Sequence, residues 1–244
     1  MRLIWLIINI VLWTIILSTL AIVVGLVDWS GRGVRWVARS WSQILLAAAG
    51  VRYNLTGAEL LDLDKHYIFA GNHESAFDII LCFAAIPHHI VSIAKIELKR
   101  IPVFGWAIFM AGHIFVDRKN RERAVKSMEK ANRSIERNPR SILIFPEGTR
   151  SLDGEIHEFK KGAAVLGLSL GMPIVPMAMC GTSDVIRKHS WTLRPRPIEL
   201  RLGQPIEVAG LEYKDRNRLT IGLRDQVIKL KREWQAEQTN QLTR

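Results

Sequence analysis

From Leu3 to Val27 the chain carries no charged side chain, and its polar or flexible interruptions are Asn9, Thr14, Ser18, Thr19 and Gly25. A helix over that stretch, rising about 1.5 Å per residue, reaches roughly 37 Å, enough to cross a hydrocarbon core of about 30 Å. A cleaved signal peptide is the competing reading, but the run outlasts the usual apolar region of about 7–15 residues, and no small-x-small pattern closes it. After the break Ser30-Gly31-Arg32-Gly33, the segment from Val34 to Ala49 mixes Arg35 and Arg39 with Trp36, Trp41, Ile44, Leu45 and Leu46. That pattern predicts a second helix at the membrane interface. Residues 1–50 are therefore expected to form a membrane anchor, with an apolar helix over 3–27 and an interfacial helix over 34–49.

From 51 to 244 the pattern changes to short β-rich runs separated by helical periods, with no repeat and no long polar linker. Tyr67–Ala70, Ile90–Ala94, Ile142–Phe145, Ile174–Met179 and Ile198–Leu202 read as strands. Ala124, Met128, Ala131 and Ile135 recur at helical spacing within a charged stretch, and Leu219, Leu223, Val227, Leu230 and Trp234 do the same near the C-terminus. The interleaving predicts an α/β domain with a mixed, largely buried sheet flanked by helices.

Charge refines this picture. With 34 Lys+Arg against 23 Asp+Glu, the net charge of +11 attracts polyanions. No recognition motif accompanies it, so an anionic membrane surface is favoured over nucleic acid. Trp5, Trp13, Trp29, Trp36 and Trp41 crowd the N-terminal segment, as side chains that prefer the headgroup region do. Arg32, Arg35, Arg39 and Arg52 follow the apolar run and only Arg2 precedes it, which places the domain on the cytoplasmic side of the inner membrane. Cys82 and Cys180 lie far apart without a CxxC partner, so neither a disulfide framework nor a thiolate zinc site is indicated. The neighbours His88 and His89 diverge and lack an acidic or thiol companion at ligand spacing, and no metal is expected there or at His113.

Candidate chemistry begins directly after the strand Tyr67–Ala70, at Gly71-Asn72-His73-Glu74-Ser75-Ala76-Phe77-Asp78. The ends of strands in an α/β sheet are where ligand sites collect. A zinc-protease reading fails because the position four after His73 is Phe77. If a helix begins near Ser75, Asp78 in its first turn reaches back to the imidazole of His73, fixing the tautomer of a general base. The same residues also fit a capping box, Ser75-x-x-Asp78, with His73 a plain turn residue. Further on, the strand before Pro146 leads into Glu147-Gly148-Thr149-Arg150, where Gly148 permits close backbone approach and Arg150 offers a planar cationic fork suited to phosphate. Arg118 ends the apolar run Ile114-Phe115-Val116, and Lys95 follows Ile90–Ala94; taken alone, either is an ordinary surface charge.

Asn72-His73-Glu74-Ser75-Ala76-Phe77-Asp78 resembles the HxxxxD signature of the glycerolipid acyltransferases. Three further blocks follow in that family's order: Gly112–Arg118, Phe145–Ser151 (FPEGTRS) and Ile174–Met179. HxxxxD alone is a weak pattern, but followed at this spacing by FPEGTRS it is specific, and the likeness extends from about Asn54 to Gly181. It implies His73 and Asp78 as catalytic residues and Arg118, Glu147, Gly148, Thr149, Arg150 and, less directly, Lys95 around the substrate's phosphate. Glu147, which would repel phosphate, is expected to orient Arg150 or a substrate hydroxyl.

The implied reaction is acyl transfer from acyl-CoA or acyl carrier protein to the sn-2 hydroxyl of 1-acyl-sn-glycerol 3-phosphate, a lysophosphatidate, giving phosphatidate. No cofactor is implied beyond the acyl donor. With no Gly-x-Ser-x-Gly elbow and no cysteine in a nucleophile's setting, attack is expected to be direct. The alternatives are another lysophospholipid or glycerol 3-phosphate as acceptor, or a non-catalytic basic protein that binds membranes.

Overall fold

The computed structural model describes residues 2–28, 31–117, 121–187, 190 and 192–242. Its helices are α1 (Arg2–Val27), α2 (Arg32–Ala48), α3 (Phe77–Ala85), α4 (Phe104–Met110), α5 (Arg121–Arg137), α6 (Gly162–Leu170), α7 (Thr182–Val185) and α8 (Arg216–Leu242). The strands are β1 (Tyr53–Thr56), β2 (Ile68–Gly71), β3 (Ile90–Lys95), β4 (Ile114–Val116), β5 (Ser141–Ile144), β6 (Ile174–Cys180) and β7 (Ile198–Leu202). They form one sheet in the order β1-β7-β6-β2-β5-β3-β4. The β6–β7 pair is antiparallel and the other pairings are parallel, so the sheet is mixed, as the pattern predicts.

β2, β5 and β6 are buried from end to end, because parallel strands at the centre of a sheet are covered on both faces. Alternation then sorts their side chains. Phe69 and Leu143 face a core built with Leu45 and Leu46 of α2 and Phe77 and Leu81 of α3. Ile68 and Ile142 face the opposite core, closed by Ala131 and Ile135 of α5, Leu166 of α6 and Leu219, Leu223 and Val227 of α8. Gly71 ends β2 so close to β6 that a Cβ there would collide with the carbonyl of Met177. A side chain at this position would push apart the two strands beneath the site.

The two N-terminal helices are packed onto this unit. α1 lies along α2 and α4, with Leu17 and Ala21 against Val37 and Ala107, and Leu6 joins the core beside α3. The Trp41 indole donates to Thr14 Oγ1 at 3.0 Å, tying α2 to α1. α2 packs between α1 and α3, and its Trp36 is an exposed large apolar side chain. The outer side of α1 remains bare: Ile4, Ile8, Val11 and Ile15, spaced three or four apart, are exposed along one helical stripe. Trp106 and Phe109 of α4 and Ile101 add to the exposed apolar surface. By length and composition α1 can cross a membrane.

Candidate active site

β2 delivers the chain to the carboxyl edge of the sheet, and the turn from Asn72 to Ala76 carries it into α3. Asp78, fully buried in the first turn of α3, accepts three hydrogen bonds at Oδ2: from Glu74 N at 2.6 Å, from Ser75 N at 2.9 Å, and in the 2.7 Å contact with His73 Nδ1. Only half of the capping box forms, since Asp78 Oδ2 accepts from Ser75 N while Ser75 Oγ donates to Ile186 O at 2.8 Å, and the same carboxylate holds the imidazole. The His73 ring stacks on Phe145 at 4.3 Å and 17°. Its main chain is pinned as well: His73 N donates to Glu147 Oε1 at 2.8 Å and Ser151 N donates to His73 O at 2.7 Å. With Nδ1 held by Asp78, Nε2 is the nitrogen left to take up a proton.

Glu147 sits in the turn after β5, buried, with Oε1 on His73 N and Oε2 accepting from His157 N at 3.3 Å. Burial raises its carboxyl's pKa, and the two amide hydrogen bonds draw it partly back. Its place is that of a brace between the turn bearing His73 and the loop that follows Arg150. Gly148 adopts φ +76°, a left-handed conformation that favours glycine in this tight turn. Thr149 is exposed. Arg150 and Lys95 line the same cavity as His73, and Lys95 Nζ also pairs with Glu97 Oε1 at 3.2 Å. Arg118 lies outside the described residues.

That cavity measures about 540 Å³, within the usual range for a ligand site. His73, Lys95 and Arg150 lie by the carboxyl ends of β2, β3 and β5, while Leu17 and Ala21 of α1, Val37 and Trp41 of α2 and Phe104 and Ala107 of α4 supply apolar walls. The polar chemistry thus opens onto an apolar chamber that the N-terminal helices help to build. Cys82 and Cys180 are buried free thiols whose pKa values burial pushes up, so neither is poised to act as a thiolate. His88 Nε2 contacts Asp62 O at 3.0 Å, and His113 Nδ1 accepts from Ser92 N at 2.8 Å. Among the described residues no group of three metal-ligating side chains gathers.

Sequence reasoning missed the support behind His73. Glu74, next in the chain and 3% exposed, is bonded to Lys231 of α8 and accepts from Asn72 Nδ2 at 2.7 Å. Asn72 in turn exchanges hydrogen bonds with the backbone of Met179 in β6. Lys231 also donates to Gly154 O, and Arg224, two turns earlier on α8, donates to Ile156 O and His157 O. α8 therefore clamps both the His73 turn and the loop after Arg150. Burial pushes the Glu74 carboxyl up and Lys231 offsets only part of that. Replacing Lys231 with Met leaves a buried carboxylate without its cation and should cost about 3–5 kcal/mol of stability. Adding Glu74→Gln to that variant should restore most of the loss. Denaturant unfolding of the two single variants and the double variant checks this, and equal losses in all three would mean that the pair is not the interaction at stake.

With the geometry in place, comparison with known proteins identifies the family. A family model described as Acyltransferase matches residues 52–180, more than half of the chain and the span that carries His73, Asp78 and Arg150. The chain belongs to the acyltransferase family. It is 36% identical over 175 residues to a 1-acyl-sn-glycerol-3-phosphate acyltransferase of Cocos nucifera, covering 72% of this chain and 56% of that one. To the protein of that name from Borreliella burgdorferi it is 31% identical over 191 residues, covering 78% and 76%. The chain thus spans little more than half the length of the plant relatives and about three quarters of the bacterial one. The fold matches that of the 1-acyl-sn-glycerophosphate (LPA) acyltransferase PlsC from Thermotoga maritima, with a TM-score of 0.79 over 94% of both chains at 22% identity.

Proposed function

We propose that this acyltransferase moves a fatty acyl group from a thioester, acyl-CoA or acyl carrier protein, to the sn-2 hydroxyl of 1-acyl-sn-glycerol 3-phosphate. The observation that carries this reading is the Asp78-held imidazole of His73 opening, beside Arg150 and Lys95, onto an apolar cavity. An alcohol is almost wholly protonated near neutral pH, so a base has to remove its proton as the new bond forms. His73 Nε2 takes the hydroxyl proton while the oxygen attacks the thioester carbonyl. The tetrahedral intermediate then expels the thiolate, which leaves with the proton from the imidazolium. The inert state of both cysteines favours direct attack over an acyl-enzyme.

Arg150, with Arg118 and Lys95, is assigned to the acceptor's phosphate, and Gly148 and Thr149 to the turn that presents Arg150. Glu147 holds His73 and this turn in register instead of touching phosphate, which its charge would repel. The apolar chamber takes an acyl chain, and the bare stripe of α1 with Trp106 and Phe109 rests in the bilayer that supplies the lipid. The positive charges after α1 favour a catalytic unit on the cytoplasmic side of the inner membrane.

The printed names of the Cocos nucifera and Borreliella burgdorferi relatives support the same acceptor. The test is a panel in mixed micelles: lysophosphatidate, lysophosphatidylcholine, glycerol 3-phosphate and monoacylglycerol, each with acyl-CoA and with acyl carrier protein. Highest efficiency toward lysophosphatidate is expected with at least one donor. Preference for another acceptor would reassign the substrate, and no transfer with either donor would return the chain to a membrane-binding role.

A further inference from the structure

Lys130, Arg133 and Arg137 stand three and four residues apart on α5, so they share one face of its last turns, and all three are exposed. With buried Arg140 they line a second cavity of about 480 Å³. Arg140 commits its terminal nitrogens to neutral oxygens, the carbonyls of Ser134, Asn138 and Gly112 and the hydroxyl of Ser134, so these bonds cap the end of α5 without cancelling the charge. Its Nε is buried without an acceptor among the described residues. Asp28 is the one carboxylate on the described lining, against those four cations.

The far wall of this cavity is the end of α1 and the end of α4. Next in the chain to the lining residues there, Leu26 and Val27 are 64% and 76% exposed and Phe109 is 59% exposed, so bare apolar side chains stand on the same helix ends as a cationic pocket. That pairing matches the two halves of a phospholipid: phosphate among the cations, chains along the apolar rim. The position also separates this pocket from the reaction. Arg140 directly precedes β5, whereas His73 follows the end of β2, and β2 and β5 run parallel, so the two lie at opposite edges of the sheet. A phosphate held here cannot belong to an acceptor whose hydroxyl is at His73.

We infer that this pocket is a second lipid site, which takes the phosphate of an anionic phospholipid of the bilayer and keeps that edge of the enzyme against the membrane surface. The full chain is tested on phosphatidylcholine vesicles with and without phosphatidylglycerol. Arg133→Gln with Arg137→Gln keeps much of the side-chain bulk and removes two charges from the pocket; Lys229→Gln with Arg232→Gln removes two exposed charges from α8. A basic residue near an anionic surface contributes about fivefold in affinity, so the α5 pair should lose about 25-fold of the preference for phosphatidylglycerol. The α8 pair should lose less than about twofold, because charges beyond a Debye length of the bilayer are screened. Binding to pure phosphatidylcholine and acyl transfer in micelles should be unchanged in both, which keeps this outcome distinct from that of the catalytic reading.

Equal losses in the two pairs would show diffuse charge attraction and overturn the site. Inorganic phosphate at matched ionic strength should compete poorly, having no chains; if it abolishes the preference, the pocket binds free anions and the lipid assignment falls. If the α5 pair shifts the thermal midpoint, Lys130→Gln read in the same assay replaces it, with about fivefold expected; an unchanged preference in that variant overturns the proposal.

Discussion

A folded His73→Ala variant should form no detectable product, and Asp78→Asn should lower the rate by roughly two to four orders of magnitude, the range seen when a carboxylate that orients a catalytic imidazole is neutralised. The sizes differ because the two side chains contribute differently. Without His73 the cavity loses the imidazole that Asp78 holds beside the carboxyl end of β2. In Asp78→Asn the ring is still present, but the Oδ2 that accepts its Nδ1 proton and two backbone amides becomes either a neutral oxygen or an NH₂ group that clashes with those donors. The imidazolium formed in the transition state then lacks its counter-charge. Circular dichroism and the unfolding midpoint separate a chemical defect from a folding one, and Asp78→Asn is the variant at greater risk because the turn before α3 leans on the same oxygen. Near wild-type turnover by well-folded His73→Ala would remove the base from this account.

The central strands were legible because they are short and apolar; Ile198–Leu202, where apolar and charged residues alternate, is observed over the limits that its pattern predicts. β1 escaped notice. Tyr53-Asn54-Leu55-Thr56 is a four-residue edge strand that pairs with β7 alone, and half-exposed edges tolerate polar residues that weaken the signal. α6 and α4 escaped for a different reason: Gly162–Leu170 and Phe104–Met110 are apolar nearly all round, so they lack the one-sided stripe by which a helix is recognised.

The site shows the same division. His73 and Asp78 stand within one turn of chain, where spacing predicts contact. Lys231 supports that turn from 157 positions away, and nothing in the C-terminal helix distinguishes it from its neighbours Lys229 and Arg232. A buried ion pair between distant segments is a product of the fold, and only the fold reveals it. α2 could not be placed from its own pattern either, because its amphipathic face suits a membrane interface and a protein core equally, and α1 supplies the cover.

Arg150→Ala should lower catalytic efficiency toward lysophosphatidate by about ten- to hundredfold, since a hydrogen bond to a charged partner is worth about 1.5–3 kcal/mol. Lys should substitute poorly, keeping the charge but losing the two-pronged geometry that matches a phosphate. A cavity that joins a base at His73 to a phosphate clamp at Arg150 demands more than a simple loss of rate. Monoacylglycerol offers the same kind of hydroxyl without the phosphate, so slow transfer to it depends on the base and not on the clamp. The direct test is the ratio of efficiencies for lysophosphatidate and monoacylglycerol, measured side by side in wild type and Arg150→Ala. The ratio should collapse by about ten- to hundredfold with transfer to monoacylglycerol nearly unchanged; an equal fall for both acceptors would contradict the claim and make Arg150 a support for the turn that holds His73.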